Sequence, residues 1–361
     1  MHRLALRKLD GRALYLYGRA PLGEGIAATS PSPEPVVANP HLRWHPLRGE
    51  WVAYASHRQH RTYKPPAAFN PLAPTTNPAH PTELPAGVYD VAVFENLFPS
   101  LAMGAAVAPP CYVPTQPGVG ACEVVVFTQD PAGSLGRLPL WHIELLFEVW
   151  ADRVREIGAR PEIWYVMPFE NRGEEVGVTL HHPHGQIYAY PFVPPLPARE
   201  HDQARAFYGT GGQTLLAHVI AHEEADGHRM LYAGPHAVAF LPAFARYPYE
   251  VWIAPRRPVA TLADLTEEDR ADLARALKTV LLKYDGLWRR PFPYLMAFHQ
   301  GPTDGQANPW AHLHIEFSPP YRTESKLKYL AGTELAAGMF ASDSVPEGKA
   351  GELQAVEVFL D

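Results

Sequence analysis

Two short stretches that begin with His-x-His, "HPHGQIY" (182–188) and "HLHIEF" (312–317), decide the fold. Each has the composition of a strand and follows the same series of elements: a strand, a long helix and a second strand. The two series lie about 130 residues apart. Loose matches of this kind occur in any α+β protein, but a His-x-His strand at the same place in both series favours duplication. We therefore predict an α+β fold of two related halves with mostly antiparallel sheet.

Hydrophobic periodicity outlines the elements around these stretches. Residues 139–157 repeat apolar side chains at a period close to 3.6, which predicts a helix. Residues 266–285 do the same after a start that resembles a capping box. A third helix is expected over about 199–224, and a hairpin turning at residues 10–11 opens the chain. The segments that read as strands are 122–130, 161–169, 249–257 and 292–300.

The composition is typical of a soluble globular protein and argues against several classes. The formal charge of −7 disfavours general nucleic-acid binding, which relies on a concentrated basic face. No apolar run reaches the roughly 18 residues that a membrane span needs, and the start of the chain lacks the apolar core of a signal peptide. Cys111 and Cys122 form no CxxC pair, so neither a disulfide framework nor a thiolate zinc site is indicated. We expect a cytoplasmic protein with no organic cofactor and with neither nucleic acid nor membrane as a partner.

The histidines of the first stretch admit three interpretations. In a strand, alternate side chains share a face, so His182, His184 and Gln186 would line one side. Pro183 suggests a sheet edge or the end of strand pairing, and Gly185 allows a ligand to come close. The histidines could be ordinary polar residues, metal ligands, or a nucleophile that attacks a phosphate ester through neutral imidazole. Gln186 favours the third interpretation, because a neutral amide donor suits a developing phosphoryl charge better than it suits a metal.

Five segments in order carry a resemblance to a known family. The motif His182–Gln186 resembles the His-Pro-His-x-Gln signature of galactose-1-phosphate uridylyltransferases, in the histidine-triad superfamily. The likeness runs from about residue 43 to residue 334. The matching segments are "WVAYASHRQHR" (51–61), "VFENLF" (93–98), "FENRGEEVGVTLHHPHGQIY" (169–188), "HLHIEFSPP" (312–320) and "KLKYLAGTE" (326–334).

This resemblance implies a fold and a reaction. The fold would be a homodimer whose chains each contain two related histidine-triad-like halves. The reaction would be a ping-pong exchange, in which a histidine takes a uridylyl group from UDP-glucose and passes it to galactose 1-phosphate. His184 would be the nucleophile, and Gln186 would hold the uridylyl phosphate. We assign residues 1–195 to an N-terminal catalytic domain and residues 196–361 to a C-terminal degenerate domain, with the boundary near the proline-rich residues 191–198.

The resemblance also implies a set of substrate-binding residues. Arg58 and Arg61 would meet the diphosphate, because a planar guanidinium can bind its oxygens bidentately; the alternative for this pair is a solvated basic patch. The residues that would line the nucleotide and sugar-phosphate pocket are Asn96, Phe98, Asn171, Gly177 and Thr179. Of these, Asn171 could equally be a turn residue and Gly177 a plain loop glycine. The residues that fall where the family contacts substrate, partly across the dimer, are Lys328, Tyr329, Thr333 and Glu334.

The chain departs from the family pattern at a zinc site. Many members hold zinc near the active site on two cysteines and two histidines, one of which is the first histidine of the motif. Here Asn70, Ala73 and Pro131 stand at three of these four positions, and only His182 remains. We therefore predict that this zinc is absent and that His182 orients a neighbour by hydrogen bonding.

A second metal site of the family is partly retained. Glu200, His299 and His314 match three of its four ligands, while Glu316 replaces a third histidine. Two histidines and two carboxylates can bind zinc or iron, which predicts one structural ion in the second half. The alternative is a hydrogen-bonded polar cluster without a metal.

A third departure concerns the sugar. Past Glu334, Phe340 stands at about the place where the family often has a glutamine that touches the hexose. This departure and the loss of the zinc ligands keep a related activity open, namely phosphorolysis of, or transfer from, ADP-glucose or a dinucleoside polyphosphate. A non-catalytic nucleotide-sugar binding protein is the third alternative, which the intact pair of His184 and Gln186 argues against. The leading hypothesis is a UDP-glucose–hexose-1-phosphate uridylyltransferase.

Overall fold

A computed structural model describes residues 1–60 and 69–360, which form an α+β fold. The strands are β1 (His2–Arg7), β2 (Ala13–Gly18), β3 (His41–His45), β4 (Glu50–Tyr54), β5 (Val91–Glu95), β6 (Thr115–Pro117), β7 (Ala121–Val126), β8 (Tyr165–Arg172), β9 (His184–Tyr190), β10 (Met230–Ala233), β11 (Ala237–Phe240), β12 (Val251–Pro255), β13 (Tyr294–His299), β14 (His314–Ser318), β15 (Tyr321–Thr323) and β16 (Lys326–Leu327). The α-helices are α1 (Leu140–Gly158), α2 (Pro195–Gly211), α3 (Leu215–Asp226), α4 (Glu267–Leu287) and α5 (Pro346–Gln354). In this described part of the chain, no helix has the length and apolar character needed to cross a membrane.

One eleven-stranded sheet runs through both halves of the chain, in the order β1-β2-β5-β7-β9-β8-β13-β14-β12-β11-β10. Neighbouring strands in it pair antiparallel. The halves meet at a seam where β8 pairs with β13, from Tyr294 opposite Arg172 to Ala297 opposite Phe169. On both sides of this β8–β13 seam, the next strand is the one that begins at the second histidine of a His-x-His motif. The predicted α+β fold with two related halves and mostly antiparallel sheet is confirmed, while the division at residues 195 and 196 stays a prediction.

The repeat extends to the hydrogen bonds of the two His-x-His motifs. His184 and His314 each donate from Nδ1 to the backbone carbonyl of the histidine two residues earlier, at 2.7 and 3.0 Å. His182 and His312 each donate from Nε2 to a backbone carbonyl at or just after the end of β7 or β12, at 2.7 and 2.8 Å. The same two bonds in each half are the structural counterpart of the repeat seen in the sequence.

Helices α1 and α4 cover one face of the sheet and complete the main core. Thr266 caps α4 with the predicted capping box, because its hydroxyl accepts from the N–H of Asp269 at 3.2 Å and its own N–H donates to the Asp269 carboxylate at 3.0 Å. Trp150 of α1 packs on Phe298 of β13 with ring centroids 4.8 Å apart. The opposite face carries two smaller buried clusters, one with α3 packed over β11 and β12 and one with residues 72–89 packed over β2, β5 and β7.

Two local predictions from the sequence have different outcomes. The hairpin at residues 10–11 is confirmed by the antiparallel pairing of β1 with β2. The single helix predicted over 199–224 is wrong, because α2 ends at Gly212 and α3 begins after Thr214. Gly212 adopts a left-handed conformation with φ of 68°, which stops α2, and the hydroxyl of Thr214 caps α3.

Candidate active site

Strand β9 presents His184 and Gln186 on the face of the sheet opposite α1 and α4, because the alternate residues Ile187 and Ala189 belong to the core under these helices. It lies between β7 and β8 and pairs with both, so its backbone is fixed along both edges. Alternate side chains of a strand share a face, so His184 and Gln186 point the same way. Gly185 faces the other side, where a Cβ would lie 2.8 Å from the carbonyl oxygen of Phe169. Only glycine lets β9 run this close to its neighbour.

The start of β9 differs from one part of the sequence prediction. Pairing begins at His184, so Pro183 marks the end of pairing, one of the two predicted alternatives. The other alternative, a sheet edge, is wrong because β9 is an inner strand. His182 precedes the strand, so the expected shared strand face holds for His184 and Gln186 alone.

His184 is held as a neutral imidazole with one nitrogen free to react. Its Nδ1 lies 2.7 Å from the carbonyl oxygen of His182, and a carbonyl can only accept, so Nδ1 carries the proton. Nε2 then keeps its lone pair, and no described residue bonds to it. Burial lowers the pKa of His184, against the opposing effect of the bond to His182, which favours the neutral form at physiological pH. An imidazole in this state is a nucleophile.

His182 supports His184 through its backbone while both of its own ring nitrogens are engaged. Nε2 donates to the carbonyl oxygen of Thr128 at 2.7 Å, so Nδ1 carries the lone pair and accepts from the side-chain amide of Asn70 at 2.9 Å. Asn70 stands where the family resemblance would place a cysteine. The orienting role predicted for His182 is consistent with these bonds, and the absence of the zinc stays a prediction.

Gln186 is oriented with its amide N–H groups available to a ligand. Asn96 accepts from the N–H of Phe98 through Oδ1 at 2.8 Å, which fixes its amide. The Nδ2 of Asn96 then lies 3.5 Å from Oε1 of Gln186. This long contact places the oxygen of the Gln186 amide toward Asn96 and its nitrogen away from Asn96. No described residue accepts a hydrogen bond from the Nε2 of Gln186, so this amide can donate to a ligand in the second cavity.

Two cavities meet at His184. The first has a volume of about 380 Å³ and lies beside the loop 131–134 and the end of β8. The second has a volume of about 200 Å³ and includes Gln186. The apolar residues that line the second cavity are Pro31, Phe69, Pro71, Leu72, Phe94, Leu97, Phe98, Val124 and Leu180. A cavity with apolar walls and with His184 and Gln186 at one end suits a ligand that has an aromatic body and a phosphate near His184.

Four of the predicted substrate-binding residues line these cavities. Asn96, Phe98 and Thr179 line the second cavity, and Asn171 lines the first. The Oδ1 of Asn171 is buried and accepts no hydrogen bond from the described residues, so it is available to a ligand. Gly177 lies outside both cavities, where it ends a short 3₁₀ turn with φ of 81°.

The predicted arginine pair is only partly described. Arg58 lies in the 3₁₀ turn Ser56–His60, beside the second cavity and outside its lining. Its guanidinium donates to the carbonyl oxygen of Phe98 at 2.7 Å, which ties the turn to the cavity wall. Arg61 lies outside the described residues, so its proposed contact with diphosphate stays a prediction.

The predicted residues near the C-terminus form a group of their own. Lys328 and Glu334 form an ion pair at 3.5 Å, and Tyr329 and Thr333 lie between them in the chain. This group lines neither of the two cavities at His184. Its predicted contacts with substrate were expected partly across a dimer, so they stay a prediction. Phe340 packs against Tyr247 with ring centroids 5.6 Å apart and lines neither cavity.

Family models account for nearly the whole chain. The model of the galactose-1-phosphate uridyl transferase N-terminal domain matches residues 31–194, and that of the C-terminal domain matches residues 199–359. The chain belongs to the galactose-1-phosphate uridyl transferase family. The predicted resemblance is confirmed, and with it the assignment to a family of enzymes.

This family member is also similar in sequence and structure to individual proteins over most of its length. It is 38% identical over 325 residues to the galactose-1-phosphate uridylyltransferase of Thermotoga maritima, which covers 88% of this chain and 98% of that protein. It is 36% identical to the enzyme of the same name from Streptomyces lividans, covering 91% and 90% of the two chains. A solved structure of a uridylyltransferase superimposes with a TM-score of 0.78 at 32% identity and covers 88% and 98% of the two chains.

The metal site predicted in the second half of this family member has a compatible geometry. The ligand atoms of Glu200, His299 and His314 lie within 4.8 Å of one another. The Nε2 of His314 is buried and makes no well-aligned hydrogen bond among the described residues, although Oε1 of Glu316 lies 3.4 Å away, and a bond to a metal would satisfy it. Glu316 lies 3.4 Å from His314 and 3.6 Å from His299, close enough to be a fourth ligand. These residues fit a structural ion, whose presence stays a prediction.

The sequence did not reveal the walls of the second cavity. Leu72, Phe94 and Val124 are spaced through the first half of the chain, and pairing of β5 with β7 is what brings Phe94 beside Val124. Glu83 also lines this cavity although it is only 6% exposed. No local motif marks these residues, because their common location is created by strand pairing and loop packing.

Proposed function

We propose that this protein exchanges UMP between UDP-glucose and galactose 1-phosphate, giving glucose 1-phosphate and UDP-galactose. The observation that carries the proposal is the imidazole of His184, with its proton held at Nδ1 by the His182 carbonyl and its Nε2 free beside the amide of Gln186. Membership of the galactose-1-phosphate uridyl transferase family supports the choice of substrates.

In the first half-reaction, the lone pair of His184 Nε2 attacks the α-phosphorus of UDP-glucose. A P–N bond forms, the P–O bond to glucose 1-phosphate breaks, and glucose 1-phosphate leaves as the phosphate anion. The imidazole gains a positive charge, which the bond from Nδ1–H to the His182 carbonyl stabilises. The amide of Gln186 donates to the phosphoryl oxygen that gathers charge, a term that is commonly worth ~2–4 kcal/mol of barrier.

In the second half-reaction, a phosphate oxygen of galactose 1-phosphate attacks the same phosphorus. The P–N bond breaks, UDP-galactose forms, and Nε2 of His184 regains its lone pair. His184 keeps its Nδ1 proton throughout, so the cycle needs no general base. Phosphoryl transfer of this kind depends on positioning and charge stabilisation, which explains how a rigid strand such as β9 can support it.

The two cavities at His184 offer separate space to the two ends of the donor. The second cavity, with its apolar walls, suits the uridine, because a base buries its faces against side chains such as Phe94. The first cavity suits the hexose phosphate, and Asn171 is placed to donate or accept there. The hexose phosphates of donor and acceptor would occupy this first cavity in turn.

We propose that the cluster of Glu200, His299, His314 and Glu316 holds one zinc or iron ion with a structural role. The ion would join α2 to β13 and β14, since Glu200 lies on α2 and the histidines lie on the two strands. No step of the exchange passes through it. A homodimer is the assembly we expect, because the group around Lys328 and Glu334 lies outside the cavities of its own chain.

The test is intact-protein mass spectrometry after mixing the protein with UDP-glucose alone, followed by a chase with galactose 1-phosphate. We expect an increase of one uridylyl group per chain, which the chase removes. His184→Ala should form no adduct while it still binds UDP-glucose. His228→Ala is the matched control, because His228 is exposed and lies in the second half.

Three outcomes would count against the proposal. Adduct formation by the His184→Ala variant would refute the nucleophile. An adduct that galactose 1-phosphate fails to remove would keep the nucleophile and refute the acceptor. No adduct with UDP-glucose, but one with ADP-glucose, would show that the donor is a different nucleotide sugar.

A further inference from the structure

The N-terminal hairpin of β1 and β2 lies outside the matched family domain, which begins at residue 31. The hairpin extends the sheet on the side of the active site. Leu14 of β2 pairs with Phe94, Phe94 pairs with Val124, and Val124 pairs with Gln186. These four residues form one row across the sheet that ends at the catalytic strand. The added hairpin therefore adjoins the second cavity.

The turn of this hairpin carries three charged side chains that are almost fully buried. Lys8, Asp10 and Arg12 are 3%, 3% and 4% exposed. Arg12 donates to the carboxylate of Asp10 at 2.7 Å, and Ser30 donates to the same carboxylate. Burying a charge is costly unless the charge is paired. Asp10 pairs with Arg12, so Lys8 needs a further anion.

That anion is Glu83. Lys8 donates to the Glu83 carbonyl oxygen at 2.7 Å and to its Oε2, and Arg12 donates to the same Oε2 at 2.8 Å. Two cations and two carboxylates thus balance in a buried network. Burial lowers the pKa of Lys8 to about 8, against the opposing effect of Glu83, so the ammonium is still charged at neutral pH.

Glu83 has a second carboxylate oxygen that this network does not use. Both cations bind Oε2, and no described residue donates to Oε1. Glu83 lines the second cavity beside Pro31 and Phe94. Lys8 lies 4.3 Å from the centre of the Phe94 ring, so the network sits directly beneath the aromatic wall. The result is one fixed hydrogen-bond acceptor in a largely apolar part of the cavity.

The position of this acceptor corresponds to the base of a bound nucleotide. Phe94 is two strands away from Gln186, which at the usual strand spacing is roughly 10 Å. A nucleotide covers such a distance from its α-phosphate to the far edge of its base. With the phosphate at His184, the base edge therefore reaches the neighbourhood of Phe94 and Glu83.

We propose that Glu83 selects the nucleobase of the donor by accepting the N3–H of uracil at Oε1, and that Lys8 and Arg12 are positioning residues that hold it there. This inference rests on the proposed function. Uracil presents an N–H at N3, whereas cytosine and adenine present a lone pair at the corresponding ring nitrogen, which a carboxylate repels. A hydrogen bond to a charged group contributes about 1.5–3 kcal/mol, so one fixed carboxylate discriminates by about 10–150-fold.

The decisive variant is Glu83→Gln. Lys8 and Arg12 are donors, so they hold the amide oxygen of the new side chain and turn its NH₂ group toward the cavity. The cavity then offers a donor where it had an acceptor. We expect kcat/KM for UDP-glucose to fall about 10–100-fold, while the ratio of CDP-glucose to UDP-glucose turnover rises by at least the same factor.

A purely structural role of Glu83 predicts a different result, because general damage would lower the turnover of both donors equally. The matched control is Glu95→Gln. Glu95 accepts from the backbone N–H of Ala13 at 2.7 Å and so also fastens the hairpin, but it does not line the second cavity. It should leave the donor ratio at its wild-type value.

A second variant keeps the test valid if Glu83→Gln does not fold. Lys8→Met removes one cation and keeps the length and most of the volume of the side chain. It should raise KM for UDP-glucose several-fold and leave kcat nearly unchanged, because Lys8 acts through Glu83 and not on the reacting phosphorus. An unchanged KM would overturn the positioning role.

The outcomes separate this inference from the proposed function. If wild-type protein forms no uridylyl adduct with UDP-glucose, the proposed function fails. If wild type forms the adduct and Glu83→Gln keeps the wild-type ratio of CDP-glucose to UDP-glucose turnover, the base-selection role of Glu83 alone is overturned. A rise of this ratio that is specific to Glu83→Gln supports both.

Discussion

Glu170 offers a quantitative test of how the buried side of the active-site sheet responds to pH. It lies on β8 and is 4% exposed, and the hydroxyl of Tyr294 donates to its Oε2 at 2.9 Å. Burial raises the pKa of Glu170 to about 7, although Arg172 and the Tyr294 bond work in the opposite direction. The folded protein therefore binds this proton more tightly than the unfolded chain, in which a glutamic acid titrates near its ordinary value of about 4.5.

The size and sign of the effect follow from this difference. A pKa raised by about 2.5 units corresponds to roughly 3 kcal/mol of unfolding free energy. Above pH 7 both states are ionised, and the folded state carries the full cost of the buried carboxylate. As the pH falls from 7 to 4.5, the folded state is protonated first, so this cost is progressively relieved. Glu170→Gln removes the titration and keeps an oxygen that can accept from Tyr294.

We expect Glu170→Gln to be more stable than wild type by about 1–3 kcal/mol at pH 8 and by much less at pH 5. Urea unfolding of both proteins at the two pH values measures this, and the difference between variant and wild type cancels the titration of all other groups. The control is Glu162→Gln, because Glu162 is an exposed glutamate close to the same strand. A stability difference that is the same at pH 5 and pH 8 would refute the reasoning.

Four further changes test the active site and the two metal sites. Gln186→Ala should slow single-turnover adduct formation by about 10–1000-fold, since it removes one donor to the phosphoryl oxygen, and a rate near wild type would contradict that role. Gly185→Ala should abolish exchange and lower the melting temperature by several degrees, because its Cβ would lie 2.8 Å from the Phe169 carbonyl oxygen and β9 would have to move; calorimetry with the exchange assay checks both effects. His299→Ala should reduce bound zinc or iron, measured by elemental analysis, and lower the melting temperature while adduct formation with UDP-glucose persists. His182→Ala should leave the metal content unchanged, and loss of metal from it would show that the motif-side zinc site is present after all.

The sequence predicted those parts of the molecule that depend on local patterns. The helices α1 and α4 have apolar periodicity, and the capping box at Thr266 marks the start of α4 one residue before its first turn. The repeated His-x-His motif predicted the two related halves, because a spacing that places two histidines at the start of a strand is visible in the chain itself. The break between α2 and α3 was missed, although Gly211 and Gly212 are a stop signal and Thr214 a cap residue that are visible in the sequence.

The site was predictable where one motif contains all its parts. His184, the His182 carbonyl that supports it and Gln186 lie within five residues, and the alternation of side chains along β9 places His184 and Gln186 on the same face. Glu83 was not predictable, because its partners Lys8 and Arg12 are more than seventy residues away and only the packing of the hairpin brings them together. A buried ion pair between distant segments leaves no periodic or motif signal in a single sequence.

The β8–β13 seam has a consequence for motion during catalysis. Because the two halves share one continuous sheet, with Tyr294 to Ala297 paired along β8, this pairing restrains one half from moving against the other as a separate lobe. Enzymes that close two lobes on a substrate use a hinge to shut out water. If the proposed uridylyl-histidine adduct forms, its protection from water would fall to the short segments that line the first cavity, in residues 131–134 and 173–181. The sheet would then keep the same conformation while substrates are exchanged. We expect the turnover rate to depend on the mobility of those segments far more than on any rearrangement of the core.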